Sequence, residues 1–192
     1  MEKFRFDPES HAYYLGSVRI PSVTQIISGV GLISDFARND AAAERGTLVH
    51  LALALFGANK LDFSTVDERI MGWVLSGVRF YESMKFKPVV LETPDYHPDY
   101  LYGYTFDGIG SSSMGDILID WKTGKKTRAT ALQLAAYLDP VQRRWGGKWK
   151  RLAVELDEYG GEPNLAYPAS DQRTDFADFL ACRRVYDLLG GR

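Results

Sequence analysis

The residues best placed to do chemistry sit in one stretch, Ile117-Leu118-Ile119-Asp120-Trp121-Lys122-Thr123-Gly124. The aliphatic run reads as a buried strand that a Thr-Gly turn ends. Side chains alternate across a strand, so Leu118, Asp120 and Lys122 share one face, and Ile119 and Trp121 share the other. Packing alone would not put a carboxylate and an ammonium two residues apart at the end of a buried strand. Two readings are open: a strand-end salt bridge reaching solvent, or an acid–base pair aimed at a substrate.

Other residues of the same chemical kind recur along the chain. Gly46 and His50 are four apart in a helical run and so lie on one helix face. Glu92 closes a short strand, and Asp107 ends a tyrosine-rich one. Two strands joined by a short Gly/Ser loop form an antiparallel hairpin, so Asp107 and Asp120 are expected on paired strands. Gln133 and Tyr137 are again four apart on a helix. His11 and His97 read as surface residues.

The elements that must position these groups follow from periodicity. Residues 4–24 read as a β-hairpin region with a turn at Asp7-Pro8-Glu9-Ser10 and a strand ended by Pro21. Ser22 caps a short helix over 23–27. Helices are expected over 35–57, with Asp35 as its cap, and over 65–85. A strand over 89–92, a turn-rich segment over 94–100, a strand over 100–106 and a loop over 108–113 lead to the central strand. A helix begins near Thr130, and Pro140 bends or ends it. Strands over 151–157 and 165–168 precede a closing helix over 171–189, with Phe176, Phe179, Leu180, Val185, Tyr186 and Leu189 on its apolar side. The order predicts an α/β fold, a mixed central β-sheet flanked by helices. It is expected as one domain over 1–192, with its core at about 35–160.

Composition bounds the possibilities. The chain has 192 residues, 45% hydrophobic and 25% charged, with a net charge of −2, the profile of a globular protein with a sizeable core. No apolar run reaches the roughly 18 residues of a membrane span, and the first residues lack the apolar core of a signal peptide. Cys182 is the single cysteine, so neither an internal disulfide nor a thiolate-held zinc or iron–sulfur cluster is expected. A reducing, cytoplasmic setting is the expected one.

In chain order, the set Gly46 with His50, Glu92, Asp107, Asp120 with Lys122, and Gln133 with Tyr137 resembles the RecB-like branch of the PD-(D/E)XK nuclease superfamily. That branch carries a G-x-x-x-H helix, an acid, an Asp, a D-x-K strand and a Q-x-x-x-Y helix. Pro21-Ser22-Val23-Thr24 and Arg45-Gly46-Thr47-Leu48-Val49-His50 are similar to the mitochondrial genome-maintenance exonuclease and related phage and bacterial exonucleases. The resemblance covers roughly residues 20–140. One feature departs from it: Phe106, not a proline, precedes Asp107, and the literal Pro-Asp pairs are Pro94-Asp95 and Pro98-Asp99. The resemblance implies a restriction-endonuclease-like core and phosphodiester hydrolysis. Asp107, Asp120 and His50 would hold Mg²⁺ or Mn²⁺, since such hard ions polarise a phosphate and acidify bound water. Lys122 would orient or deprotonate the attacking water. Glu92 would be an acid behind the ligands or a ligand to a second ion, and Gln133 and Tyr137 would touch the metal-site water or the DNA backbone.

The segment from Lys122 to Arg151 carries nine basic residues, among them Lys125, Lys126 and Arg128, against the single acid Asp139. A basic strip beside the active strand suits a nucleic-acid backbone, and Tyr102, Tyr104, Trp145 and Trp149 are candidates to stack on unpaired bases. The expected function is a Mg²⁺/Mn²⁺-dependent DNA nuclease, an exonuclease on DNA ends or single strands in recombination, repair or phage DNA metabolism. Its expected partners are DNA together with a recombinase, a helicase or a single-strand-binding protein, and no membrane. The alternatives are a structure-specific or flap endonuclease with the same site, and a nuclease-fold module that only binds DNA.

Overall fold

In a computed structural model the described residues are 2–33, 40–125 and 127–191. Three short strands, β1 (Phe4–Asp7), β2 (Ala12–Leu15) and β3 (Val18–Ile20), form an antiparallel sheet. Helix α1 (Val23–Gly29) follows. Its cap Ser22 accepts from the Gln25 N–H while the Gln25 side chain accepts from the Ser22 N–H, a reciprocal box that satisfies two orphan donors. Helix α2 (Asp40–Gly57) and helix α3 (Met71–Ser83) come next, with a 3₁₀ turn (Phe63–Thr65) between them. The expected cap Asp35 lies outside the described residues.

A five-stranded sheet carries the centre: β4 (Lys87–Tyr96), β5 (Gly103–Ser112), β6 (Gly115–Lys122), β7 (Lys150–Glu155) and β8 (Asn164–Ala166), in that spatial order. Only β6 and β7 are parallel. Parallel neighbours need a crossover, and helix α4 (Arg128–Trp145) supplies it. Helix α5 (Gln172–Leu188) closes the chain, capped by Asp171.

The alternation expected along β6 sorts the core. Leu118 packs with α1, α4 and α5 through Ile26, Leu134, Val141 and Phe179. Ile117, Ile119 and Trp121 pack on the other face with Val49, Leu53, Val74 and Phe80 of α2 and α3. The small sheet has its own cluster, Tyr13, Leu15 and Ile20 against Phe4, Phe6 and Tyr96. It docks on β5 at Gly103, where a Cβ would lie 2.1 Å from the Tyr13 ring. The glycine is therefore required by close approach.

Several expectations are corrected. The segment over 94–100 is not all turn: Pro94, Asp95 and Tyr96 pair with β5. The Gly108-Ile109-Gly110-Ser111-Ser112 run is strand as well, and the hairpin turns only at Ser113-Met114. The second long helix begins at Met71, after the turn. On the closing helix, Val185 and Leu189 face solvent rather than the core.

Pro140 neither ends nor breaks α4. A proline there deprives the Ala136 carbonyl of its helical donor, and the Tyr102 hydroxyl donates to that carbonyl at 2.8 Å. Tyr102 is thus a buried helix partner rather than a base-stacking surface, and Tyr104 is buried beside it. His97 is fully buried, not a surface residue. Its Nδ1 accepts from the Asp99 and Tyr100 N–H groups, and Nε2 lies 2.9 Å from Asp139 Oδ2. That partner is 42 residues away, so no local pattern could reveal it.

Candidate active site

Strand register builds the site. Leu91 faces Gly108, and Gly108 faces Ile119. One step along these ladders, Glu92, Asp107 and Asp120 occupy adjacent positions on three neighbouring strands. Asp107 and Asp120 are buried and Glu92 is half-buried. Glu92 holds φ at +42°, a left-handed backbone that costs a side-chain-bearing residue about 1–3 kcal/mol and that clusters at functional sites. From the α2 side, His50 reaches over the row. Its Nδ1 lies 3.2 Å from Asp107 Oδ1 and 3.9 Å from Glu92 Oε1. The other Asp107 oxygen accepts the Trp121 backbone N–H, which locks the carboxylate across β5 and β6.

Lys122 lies on the far side of the row. Its Nζ is 2.6 Å from Asp120 Oδ2, an ion pair. The same ammonium donates to Gln133 Oε1 at 3.0 Å, and Gln133 Nε2 donates to the Tyr137 hydroxyl at 2.8 Å. Gln133 and Tyr137, expected at the metal-site water or the DNA backbone, instead form a chain behind the lysine. Tyr137 is buried.

Three carboxylates face one lysine and one histidine, and the protonation states show it. Burial raises the Glu92 carboxyl well above its ordinary range, Asp107 and Asp120 raise it further, and His50 opposes them. Burial likewise raises Asp120, against the pull of Lys122. Burial disfavours the charged His50 ring, but Asp107, Glu92 and Asp120 outweigh it and raise His50 to about 9. Burial and mutual repulsion thus favour the protonated forms of Glu92 and Asp120 more than water would.

These residues fit a divalent cation. Ligand atoms from His50, Glu92 and Asp107 lie within 4.8 Å of one another. Glu92 Oε1 is buried with no hydrogen-bond partner, and such an acceptor calls for a cation or a proton. Two carboxylates and an imidazole suit Mg²⁺ or Mn²⁺. The group differs from the expected His50, Asp107 and Asp120: Glu92 joins it, and Asp120 stands next to it in contact with Lys122.

The rim is less basic than the sequence implies. Arg128 pairs with Asp175 and Asp178, Arg143 with Asp99 and Asp139, and Arg144 with Asp95. Arg151 is buried against Asp175, and Lys150 donates to the Met114 carbonyl. Lys125 is exposed on a cleft that also presents Glu155, Asp157, Glu158 and Glu162. Lys126 lies outside the described residues. Trp149 is half-buried, donating to Gly146 O, while Trp145 stays exposed beneath the Arg144 guanidinium. Among the described residues a Cβ on Gly46 would meet only Thr123 Oγ1, at 3.9 Å, and no backbone atom.

One wall of the site went unread in the sequence. Tyr13 of β2 bonds Thr105 Oγ1 at 2.8 Å, and Thr105 precedes Asp107 by two positions on β5. The contact joins residues 92 apart, and only the docking of the small sheet creates it. The chain matches no protein-family model and no curated protein. Among the described residues, no helix is long and apolar enough to cross a membrane.

Proposed function

We propose that the chain is a Mg²⁺- or Mn²⁺-dependent deoxyribonuclease with a restriction-endonuclease-like core of the RecB-like kind, acting as an exonuclease on DNA ends or single strands. One observation carries this reading: Glu92, Asp107 and Asp120 stand in register on three strands with more acid than the protein neutralises, and a lysine stands at one end of the row. Among the described residues the buried Glu92 Oε1 has no hydrogen-bond partner, and its one charged neighbour is His50 Nδ1 at 3.9 Å.

His50, Glu92 and Asp107 would hold the cation, with Asp120 adjoining. The bound cation supplies Lewis-acid polarisation of the phosphate and a water acidified toward neutrality. Lys122 would orient an attacking water and bring positive charge to the phosphate oxygens. Gln133, itself fixed by Tyr137, holds the ammonium so that its position costs no reorganisation during the reaction. Cutting needs only backbone contacts, so such an enzyme is tolerant of sequence. Recombination, repair or phage DNA metabolism is the setting in which such chemistry serves, with any unwinding left to a helicase partner.

End-labelled linear and circular DNA, single- and double-stranded, incubated with Mg²⁺, Mn²⁺ or EDTA, tests the reading. Loss of linear but not circular DNA, dependent on metal and absent in Lys122→Ala, is the expected result, and the labelled end gives the polarity. Cut circles would replace the exonuclease with an endonuclease at the same site. DNA retention without cleavage under either metal would leave a binding module.

A further inference from the structure

We propose that His11, at the turn between β1 and β2, binds a backbone phosphate of the nucleic-acid strand that enters the catalytic row. The proposal rests on the nuclease reading for its ligand, and on separate residues for its geometry.

His11 is exposed and holds φ at +48°. A glycine or asparagine would occupy that left-handed position at less cost, so the turn does not explain the imidazole. The ring is fixed nonetheless. It stands edge-on to Phe6, with centroids 5.1 Å apart, and edge-on to Tyr13 at 5.7 Å. Its Nε2 lies 3.3 Å from the Tyr13 hydroxyl, which in turn is 2.8 Å from Thr105 Oγ1.

This chain leads to the site. Thr105 and Asp107 are two apart on β5, and so on one side of the strand. Burial raises the Tyr13 hydroxyl to about 12, and Glu92 is near enough to raise it further. The Tyr13 ring also fills the space above Gly103, which anchors the hairpin to the strand that bears Asp107.

The polarity of the chain sets what His11 offers. Partial desolvation lowers its pKa, which favours the neutral ring near neutral pH. The distances admit either direction along this chain; in the one proposed, Thr105 donates to Tyr13 and Tyr13 to Nε2, which puts the ring proton on Nδ1. Nδ1 is then a donor at the outer end of the chain that runs through Tyr13 to Thr105, and no protein group takes it among the described hydrogen bonds. A phosphate oxygen is the acceptor that a strand passing this wall presents at every nucleotide. The arginines of the basic strip are bound to their own acids.

The test compares wild type, His11→Gly and His11→Asn. Glycine removes the donor while accepting the backbone angle, so the fold is kept; asparagine accepts the angle and restores an N–H. Binding of fluorescein-labelled single-stranded oligo-dT is followed by anisotropy in Ca²⁺, cleavage of the same DNA in Mg²⁺, and stability by thermal melting. His11→Gly is expected to weaken binding and raise KM about tenfold, the scale of one hydrogen bond to a charged group, with kcat and melting temperature unchanged. His11→Asn is expected to recover most of the loss. Wild-type binding by His11→Gly, or a fall in kcat at constant KM, would overturn the proposal. Weakened binding by His11→Gly in a protein that cuts no DNA would sink the nuclease reading and leave the phosphate contact standing.

Discussion

Two charged regions of the molecule obey opposite rules. In the network around α5, Asp175 takes Arg151, Arg128 and the Ser170 hydroxyl, and Asp178 takes a second Arg128 nitrogen. Charges there are matched nearly one to one. In the row across β4, β5 and β6, three carboxylates share Lys122 and His50, and among the described residues a buried oxygen of Glu92 has no hydrogen-bond partner. The first region is a fastening between elements. The second keeps an electrostatic debt that only protons or a bound cation can settle. Sequence weighs the charges of both regions equally; what separates them is whether the fold brings the opposite charge within reach.

The sharpest break of this comparison is at the row. Asp120→Asn and Lys122→Ala should each reduce DNA cleavage by about 10²–10⁴-fold. Because ionised Asp120 is penalised by burial and by Asp107, the melting temperature of Asp120→Asn should not fall. A variant that lost activity only together with its fold would place the row among the fastenings.

Arg151→Met should do the reverse. Leaving Asp175 buried without that partner should cost about 3–5 kcal/mol in denaturant unfolding, with DNA cleavage per folded molecule unchanged. The pH dependence sharpens this. Burial raises the Asp175 carboxyl, but Ser170, Arg151 and Arg128 outweigh it and hold it below 3.8. A depressed carboxylate stabilises fully above its unfolded value and loses that contribution as pH falls through the folded one. Wild-type stability should therefore drop below pH 3.8 more steeply than that of Asp175→Asn, measured by urea midpoints across that range.

Smaller effects test the neutral fastening on α4. Tyr102→Phe strands the carbonyl that Pro140 leaves free, and should cost about 1–3 kcal/mol. Pro140→Ala restores a helical donor to Ala136, so in its background Tyr102→Phe should cost measurably less, a coupling that a double-mutant cycle reads directly. At the bottom of the scale, Arg144→Ala removes an exposed pair with Asp95. It should change stability by less than about 1 kcal/mol, checked by the same urea titration.

Much of the fold was written locally. The alternation in Ile117-Leu118-Ile119-Asp120-Trp121-Lys122 assigns Leu118 to one core and Ile119 and Trp121 to the other, as found. The cap at Ser22, the hairpin bearing Asp107 and Asp120, and the Gln133–Tyr137 spacing were legible because each depends on neighbours within a turn or a ladder step. Strand ends were not. Ser111 and Ser112 look like loop, yet the partner strand takes them up, and Pro94 is tolerated on β4, the edge strand of its sheet.

By itself the sequence determined which residue types stand at which periodic positions: Asp107 and Asp120 on the two strands of a hairpin, the lysine two beyond Asp120, the histidine one turn from Gly46; Glu92 and Asp107, read as strand ends, lie in the middle of β4 and β5. Only the tertiary structure decided which of those charges are used up. It placed Glu92 beside His50 and Asp107, turned Gln133 and Tyr137 to the back of Lys122, buried His97 on Asp139, and neutralised the arginines of the basic strip. Each decision joins residues that are far apart in the chain. Their Coulomb energy depends on distance and burial, and neither quantity exists until the chain has folded.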